Sequence, residues 1–233
     1  MRLDLFFDQL LGVELSQHVW GLRDDLGLPE QPERLVSLIN AGLLELHTKF
    51  LLRKGTFFIS YDCSDRLIKL CSSNPKLRWE NSPPNFIALL QLLDCSGREV
   101  RLNAIHRRQP CPSVVEVLMH SQMEWEINGP GGLLKGIYKR HGDLLPMPSE
   151  VSLWSPVDYE IDLPEHFLRA LNLYVCARLF SSLPLMNTGN GSPSPHITYH
   201  QQYQQELNTL LGYEGELSSS GNYQQRFTET GMP

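Results

Sequence analysis

The stretch PERLVSLINAGLLELHTKFLLRKGTFFISY, Pro32 to Tyr61, changes its periodicity once, and that change decides the fold. Pro32 suits the opening turn of a helix, and Glu33 suits its positive end. From there Leu35, Ile39, Leu43, Leu46 and Phe50 recur at spacings of three and four residues, which is one face of a helix. Buried large side chains contribute about 1.5 to 3 kcal/mol each, so this stripe supplies several kcal/mol toward docking on a partner helix. Gly42, inside the helix, costs about 1 kcal/mol against alanine, and it predicts close approach of another backbone. His47 reads as a packing or surface residue and not as a ligand. After Lys54 and Gly55 the run Thr56–Tyr61 is aromatic and β-branched, the composition of a strand.

Working outward, the β pattern continues for about a hundred residues. Leu67, Ile68 and Leu70 follow a polar turn. Phe86–Leu93 is apolar almost without break, and reads as a strand in preference to a short helix. Asp94, Cys95, Ser96 and Gly97 then turn the chain into Glu99, Val100, Arg101 and Leu102, which predicts a hairpin. Val114–Met119, Glu124–Ile127 and Leu133–Tyr138 complete a set of short strands, the spacing of a small antiparallel sheet or sandwich. A proline-rich segment, Leu145–Pro156, returns the chain to helix. Asp162 with Glu165 resembles a capping box with Pro164 in the first turn, and Phe167, Leu168, Leu171, Tyr174, Val175 and Leu179 form the apolar face of a second framework helix. After a Gly-, Ser-, Pro- and Asn-containing loop, Ser194 and Pro195 open a third helix carrying Ile197, Tyr203, Leu207 and Leu210. Its other positions are mostly glutamine and other uncharged polar groups, a surface that another subunit covers with little charge to desolvate.

The expected class is therefore α+β: a helical bundle with an inserted antiparallel β-domain and an extended C-terminal tail. The domains are an N-terminal segment at 1–30, a helical bundle from 31–54 with 160–213, an inserted β-rich domain at 55–159, and a tail at 214–233 that docks on a partner. The tail is polar, with Leu217, Tyr223, Phe227 and Met232 as its anchors, and by itself is expected to be disordered.

Composition excludes several function classes. At 233 residues with 41% apolar content the chain can build a substantial core. Lys and Arg total 20 against 26 Asp and Glu, a net charge of −6, which disfavours a general polyanion-binding surface. Five cysteines, Cys63, Cys71, Cys95, Cys111 and Cys176, stand at irregular spacings that match neither a disulfide framework nor a zinc pattern, and a reducing compartment is expected. The first twenty residues are apolar at Leu5, Phe6, Phe7, Leu10 and Leu11. Asp4, Asp8 and Glu14 interrupt that run, so it is not read as a secretory signal, and synthesis in the cytoplasm is expected. No stretch approaches the ~20 apolar residues of a membrane span.

Catalytic constellations are weak. His196 and His200 stand four apart on a helix without a third metal ligand, and read as two polar helix residues. Cys95 with His106, or Cys111 with His120, lacks the strand–turn–helix setting of a nucleophile and base. Gly129–Gly132 has no P-loop lysine and lies between strands, so it reads as a turn. Arg107 and Arg108 beside His106 form the best local basic spot and read as a solvated loop. No catalytic residue, metal or cofactor is assigned, and the chain is not expected to be an enzyme.

The order of these elements carries a resemblance. LVSLINAGLLELHTKF at 35–50, a β-rich insertion, and LPEHFLRALNLYVCARLF at 163–180 together resemble the head-to-tail adaptor of short-tailed bacteriophages, the tail tubular protein A family, over about residues 32–212. The resemblance implies one subunit of a dodecameric ring in the virion tail. That ring would bind the portal, extend the DNA channel, and offer attachment sites to the tail nozzle and fibres. Double-stranded DNA would pass without sequence-specific binding, along an acidic wall that repels it. Family members commonly grip the portal with a C-terminal extension, which implies contacts from Tyr203, Leu217, Tyr223, Arg226, Phe227 and Met232 here. The N-terminal segment has no match in the pattern, and its Phe6, Phe7 and Trp20 are read either as contacts to tail components or as cover for the helical core. The alternative from another class is a monomeric carbohydrate- or protein-binding β-module on a helical stalk.

Overall fold

The computed structural model describes residues 1–14, 32–62, 67–71, 73–80, 85–103, 115–129, 131–181 and 194–218. The chain is α+β, and it divides into two compact units: Met1–Leu46 with Asp143–Pro233, and His47–Gly142.

The first unit is helical. It contains α1 (Leu3–Gln9), continued by a π-helical turn at Leu10–Glu14, then most of α2 (Pro32–Lys49), α3 (Glu165–Ser181) and α4 (Pro195–Ser218), with short 3-10 turns at Pro148–Glu150 and Pro156–Asp158. Leu35, Val36, Ile39, Leu43 and Leu46 of α2 are buried, as its period predicts. Phe50 is buried too, but α2 ends at Lys49 and Phe50 falls in the stretch of the second unit that leads into its first strand. Asn40 fixes the chain where it re-enters the helical unit: its amide donates to the Leu145 carbonyl at 2.8 Å, while its Oδ1 accepts from the Leu145 N–H at 2.9 Å. One side chain thereby satisfies both polar groups of a residue that no helix or strand serves.

Helix α3 departs from the one-faced pattern read in its sequence. Phe167, Leu171, Tyr174, Val175 and Leu179 are buried, but so is every residue from Ala170 to Ala177. A helix covered all round is a core element and not a surface one. Small and uncharged residues at Ala170, Asn172, Cys176 and Ala177 permit this, and a search for one apolar stripe overlooks them. Gly42 of α2 is one of the places where α3 comes close: a Cβ there would stand 2.6 Å from Leu171 Cδ1 and 2.8 Å from Tyr174 Cδ1. The neighbours are thus side chains of α3, and not the backbone that the glycine predicts.

The N-terminal segment is built into this unit. Leu3, Phe6, Phe7, Leu10 and Leu11 are buried. Leu3 N–H donates to the Tyr159 carbonyl at 2.9 Å, and Ile161 N–H donates to the Met1 carbonyl at 2.7 Å. Phe6 and Phe7 therefore serve as core, while Trp20 lies outside the described residues.

The second unit is two four-stranded sheets. With β1 (Lys54–Tyr61), β2 (Leu67–Lys69), β3 (Leu77–Trp79), β4 (Phe86–Leu93), β5 (Arg101–Leu102), β6 (Glu116–Met119), β7 (Glu124–Asn128) and β8 (Gly132–Arg140), the orders are β3-β1-β8-β4 and β2-β7-β6-β5. The expected strands are present, including Phe86–Leu93, and β3 is one that the sequence reading missed. Its three residues, one of them Arg78, are too few to show alternation. Of the expected hairpin at Asp94–Gly97 the turn forms, with a single bridge from Leu93 to Glu99, but β5 leaves β4 and pairs with β6 in the other sheet. Its turn is set by Asp94, whose Oδ1 accepts from Ser96 N–H, Ser96 Oγ–H and Arg98 N–H, and by Gly97 at φ 79°. All pairings are antiparallel except β5 with β6, which run parallel over two residue pairs. That departs from the antiparallel expectation, and residues 103–115 between these strands are long enough for the crossover that a parallel pair requires.

Both sheets contribute to one apolar core, including Phe57, Ile59, Tyr61, Leu77, Leu89, Leu92 and Tyr138 from the first and Ile68, Val117, Trp125 and Ile127 from the second. Its aromatic centre is made possible by two glycines. In the β1–β8 register Gly136 faces Phe57 and Gly55 faces Tyr138. A Cβ at Gly136 would meet Phe57 Cζ at 2.1 Å, and one at Gly55 would meet Tyr138 Cζ at 2.3 Å. Each ring thus lies over the backbone of its cross-strand partner. Phe57 then reaches Trp79 at 5.1 Å and Trp125 at 5.6 Å between ring centroids.

Candidate docking surface

The third framework helix is the element whose inner and outer faces differ most in chemistry. Its inner face packs on α3 through Tyr199, Tyr203, Leu207 and Leu210, all buried. Tyr199 stacks on Phe180 with ring centroids 5.5 Å apart, and Tyr203 meets Tyr174 edge-on at 5.5 Å. His196 lies 2.8 Å from the Ala177 carbonyl through its Nδ1, which sets that nitrogen as the donor. The Tyr203 hydroxyl donates to Glu45 Oε1 of α2 at 3.0 Å. Burial, reinforced by the Glu45 charge, pushes the Tyr203 hydroxyl far above the ordinary tyrosine range, so it remains a donor at every physiological pH.

The outer face is different. From Pro195 to Tyr213 the helix has one carboxylate or ammonium-type side chain, Glu206, and its Oε2 stands 3.5 Å from Arg169 Nε of α3. The exposed positions are Ile197, His200, Gln201, Gln202, Gln204, Gln205, Asn208, Thr209, Leu211, Gly212 and Tyr213. From Pro195 to Tyr213 α4 is about 28 Å long, so this is an extended strip rich in amide and hydroxyl groups. It ends in two exposed large side chains, Leu211 and Tyr213. Amides lose far less than carboxylates or ammoniums when water is removed, and they can donate and accept with almost any partner.

The residues singled out in the sequence fall as follows. Tyr203, expected at a partner, faces inward and spends its hydroxyl on Glu45; aromatic burial on α3 determines its side. Ile197, expected on the apolar face, is exposed, and Tyr199 takes that place. Helix α4 runs on to Ser218, so Glu214–Ser218, expected to begin a disordered tail, continues the helix; no proline or paired glycines interrupt it there. Leu217 lies in that last turn, while Tyr223, Arg226, Phe227 and Met232 lie outside the described residues. Leu153, 89% exposed, and Tyr213 were not found from sequence: Leu153 sits in a proline-rich segment with no period, and Tyr213 lies off the Tyr203–Leu207–Leu210 stripe.

Among the described residues the catalytic candidates form no centre. Among the described residues no three His, Cys, Asp or Glu side chains are placed to hold a metal ion. His196 and His200 stack with ring centroids 6.1 Å apart. His120 pairs with Glu126 at 3.2 Å, and Cys71 and Cys95 are exposed while Cys176 is buried. Cys63, His106, Arg107, Arg108 and Cys111 lie outside the described residues. His47 is buried, and its Nε2 accepts from the Gly142 N–H at 3.3 Å, in keeping with a packing role. Among the described residues no helix is long and apolar enough to cross a membrane. No protein-family model matches the chain, and no curated protein matches it significantly in sequence.

Proposed function

We propose that this protein is a structural virion component, a head-to-tail adaptor. Copies of it form a ring, a dodecamer by the family pattern, between portal and tail nozzle; the ring extends the DNA channel and offers attachment sites to tail fibres. In this reading the helices are the bundle, the sheets are the insertion, and the residues beyond α4 reach the portal. The observation that carries the proposal is the outer face of α4 from Pro195 to Tyr213: about five turns of helix whose one carboxylate, Glu206, is turned aside to Arg169. Such a face suits repeated, modest contacts that become strong by multivalency in a closed ring. The net charge of −6 suits a channel wall that lets DNA slide, since no counterion release holds it.

Light scattering after size exclusion tests this, with the protein alone, with its portal, and with a truncation after Ser218 that leaves α4 whole. The adaptor reading expects a monomer that joins a ring when portal is added, and failure of the truncated chain to do so. A chain that stays monomeric whether or not portal is present would instead favour the monomeric carbohydrate- or protein-binding β-module, to be pursued by glycan and protein screens.

A further inference from the structure

The charge balance of the chain reverses on its first sheet, β3-β1-β8-β4. Acids outnumber bases overall, 26 to 20, yet the four strands hold Lys54, Arg78, Lys135, Lys139 and Arg140 and no Asp or Glu. Asp62, Glu80 and Asp94 each stand one residue past a strand end, and the Asp94 carboxylate is occupied by its own turn. In the second sheet Glu116, Glu124 and Glu126 lie within the strands. The sum of −6 therefore hides a local surface of the opposite sign.

Strand alternation sets where these cations point. Phe57, Ile59 and Tyr138 fill the core and Arg140 is buried, so Lys54, Thr56, Phe58, Lys135, Ile137 and Lys139 face away from the second sheet. In the register Phe58 stands directly between Arg78 on β3 and Lys135 on β8. Strands lie ~4.8 Å apart, so two cations ~10 Å apart flank one aromatic ring. Arg78 and Lys135 are exposed and Phe58 is half-buried, with Lys135 Nζ 5.9 Å from the centre of its ring. Among the described residues no carboxylate forms an ion pair with Arg78 or Lys135. Lys139 is used differently, for its Nζ donates to the Thr48 carbonyl at 2.6 Å.

Such a face selects an anion, and the ring between the cations selects further. An acidic peptide satisfies Arg78 and Lys135 but brings no regular array of flat rings to Phe58, and a duplex encloses the faces of its bases. A single strand carries phosphates and free base faces together, and stacking on an aromatic side chain tolerates any base. We propose that the outer face of the first sheet binds single-stranded nucleic acid, with phosphates on Arg78 and Lys135 and a base on Phe58. This site goes beyond the adaptor reading and depends neither on α4 nor on a ring. The sheet is three strand spacings across, ~14 Å, and accommodates only a few nucleotides, so binding is weak and sensitive to salt.

The test uses the full chain and the fluorescence anisotropy of a labelled DNA single strand of about 20 nucleotides, titrated with protein to about 500 µM. Binding is expected at about 50 mM salt and should weaken about sevenfold at about 200 mM, the change for two phosphates. Arg78→Gln and Lys135→Gln, at exposed positions, are each expected to weaken binding by about threefold or more and to lower the salt slope by ~0.7. Phe58→Leu is expected to weaken it by about fivefold or more with the slope unchanged, which separates stacking from charge. Phe58→Trp, with a larger ring, is expected to tighten binding and decides the point if the leucine variant does not fold. The same strand paired with its complement, and polyglutamate, are each expected to bind about fivefold more weakly or worse. Absence of binding at low salt, or indifference to the Phe58 variants, overturns the proposal. Equal binding of polyglutamate overturns it in favour of an acidic protein partner.

Discussion

The two units treat charge in opposite ways. In the β-unit, Lys69 pairs with Glu124 across the second sheet at 3.2 Å, the His120 ring meets the Glu126 carboxylate at 3.2 Å, and three of four edges bear a cation. In the helical unit the longest helix, from Pro195 to Tyr213, shows solvent a face rich in amides and hydroxyls, and its one carboxylate there, Glu206, is turned to a neighbour. A surface of paired charges resists dehydration, whereas one of amides yields to it at small cost. The comparison separates a part that is guarded along most of its margin from a part prepared for contact.

The same contrast holds in the interiors, and mutations there should break it most visibly. Trp125 is fully buried at the centre of the β-unit core, and Trp125→Ala should cost about 3–5 kcal/mol, read by chemical denaturation. Glycine-to-alanine substitutions sharpen the comparison. Gly136→Ala drives a methyl into the Phe57 ring, held in turn by Trp79 and Trp125, and should cost about 3 kcal/mol. Gly42→Ala meets the methyl end of Leu171 and the ring edge of Tyr174, but alanine returns about 1 kcal/mol of helix propensity, so the net loss should be about 2 kcal/mol or less. An equal loss at the two sites would mean that the helical contact is as unyielding as the aromatic one.

A polar contact comes next. Tyr203→Phe keeps the ring edge-on to Tyr174 and removes only the donor to Glu45, for an expected loss of about 1–2 kcal/mol. The smallest effect belongs to the Asp94 turn. Donation from the Ser96 hydroxyl holds the Asp94 carboxyl below its usual range. Its folded pKa is thus lower than its unfolded value, so its contribution is present above about pH 3.9 and disappears as pH falls through the folded value. Asp94→Asn should therefore lower the denaturation midpoint slightly at pH 7, with the difference closing toward pH 3. A difference that persisted there would assign the effect to the turn's geometry and not to its charge.

The strands and helices were largely legible in the sequence because their patterns are local. The face of α2 follows from spacing alone, and Phe86–Leu93 was distinguished as a strand by its flanking turn. What escaped were properties set by neighbours. Small residues hide the full burial of α3; Gly42 signals a close approach without saying that side chains of α3 make it; and Gly55 and Gly136 acquire meaning only in a register that places them opposite Tyr138 and Phe57. The scarcity of charge from Pro195 to Tyr213 of α4 was visible, but its sidedness was not: Tyr203 is buried and Tyr213 exposed, which the packing on α3 decides.

The central claim is that the outer face of α4 makes the contacts by which copies join beside the portal. Gln201, Gln205 and Asn208 lie at helical spacing on that face and are exposed. Replacing all three by glutamate should change the stability of the isolated chain by less than about 1 kcal/mol, since surface substitutions are individually small. The decisive measurement is the mass, by light scattering, of this triple variant with portal. The account predicts a folded monomer where the wild type forms a ring; a variant that assembles as readily as the wild type would contradict it.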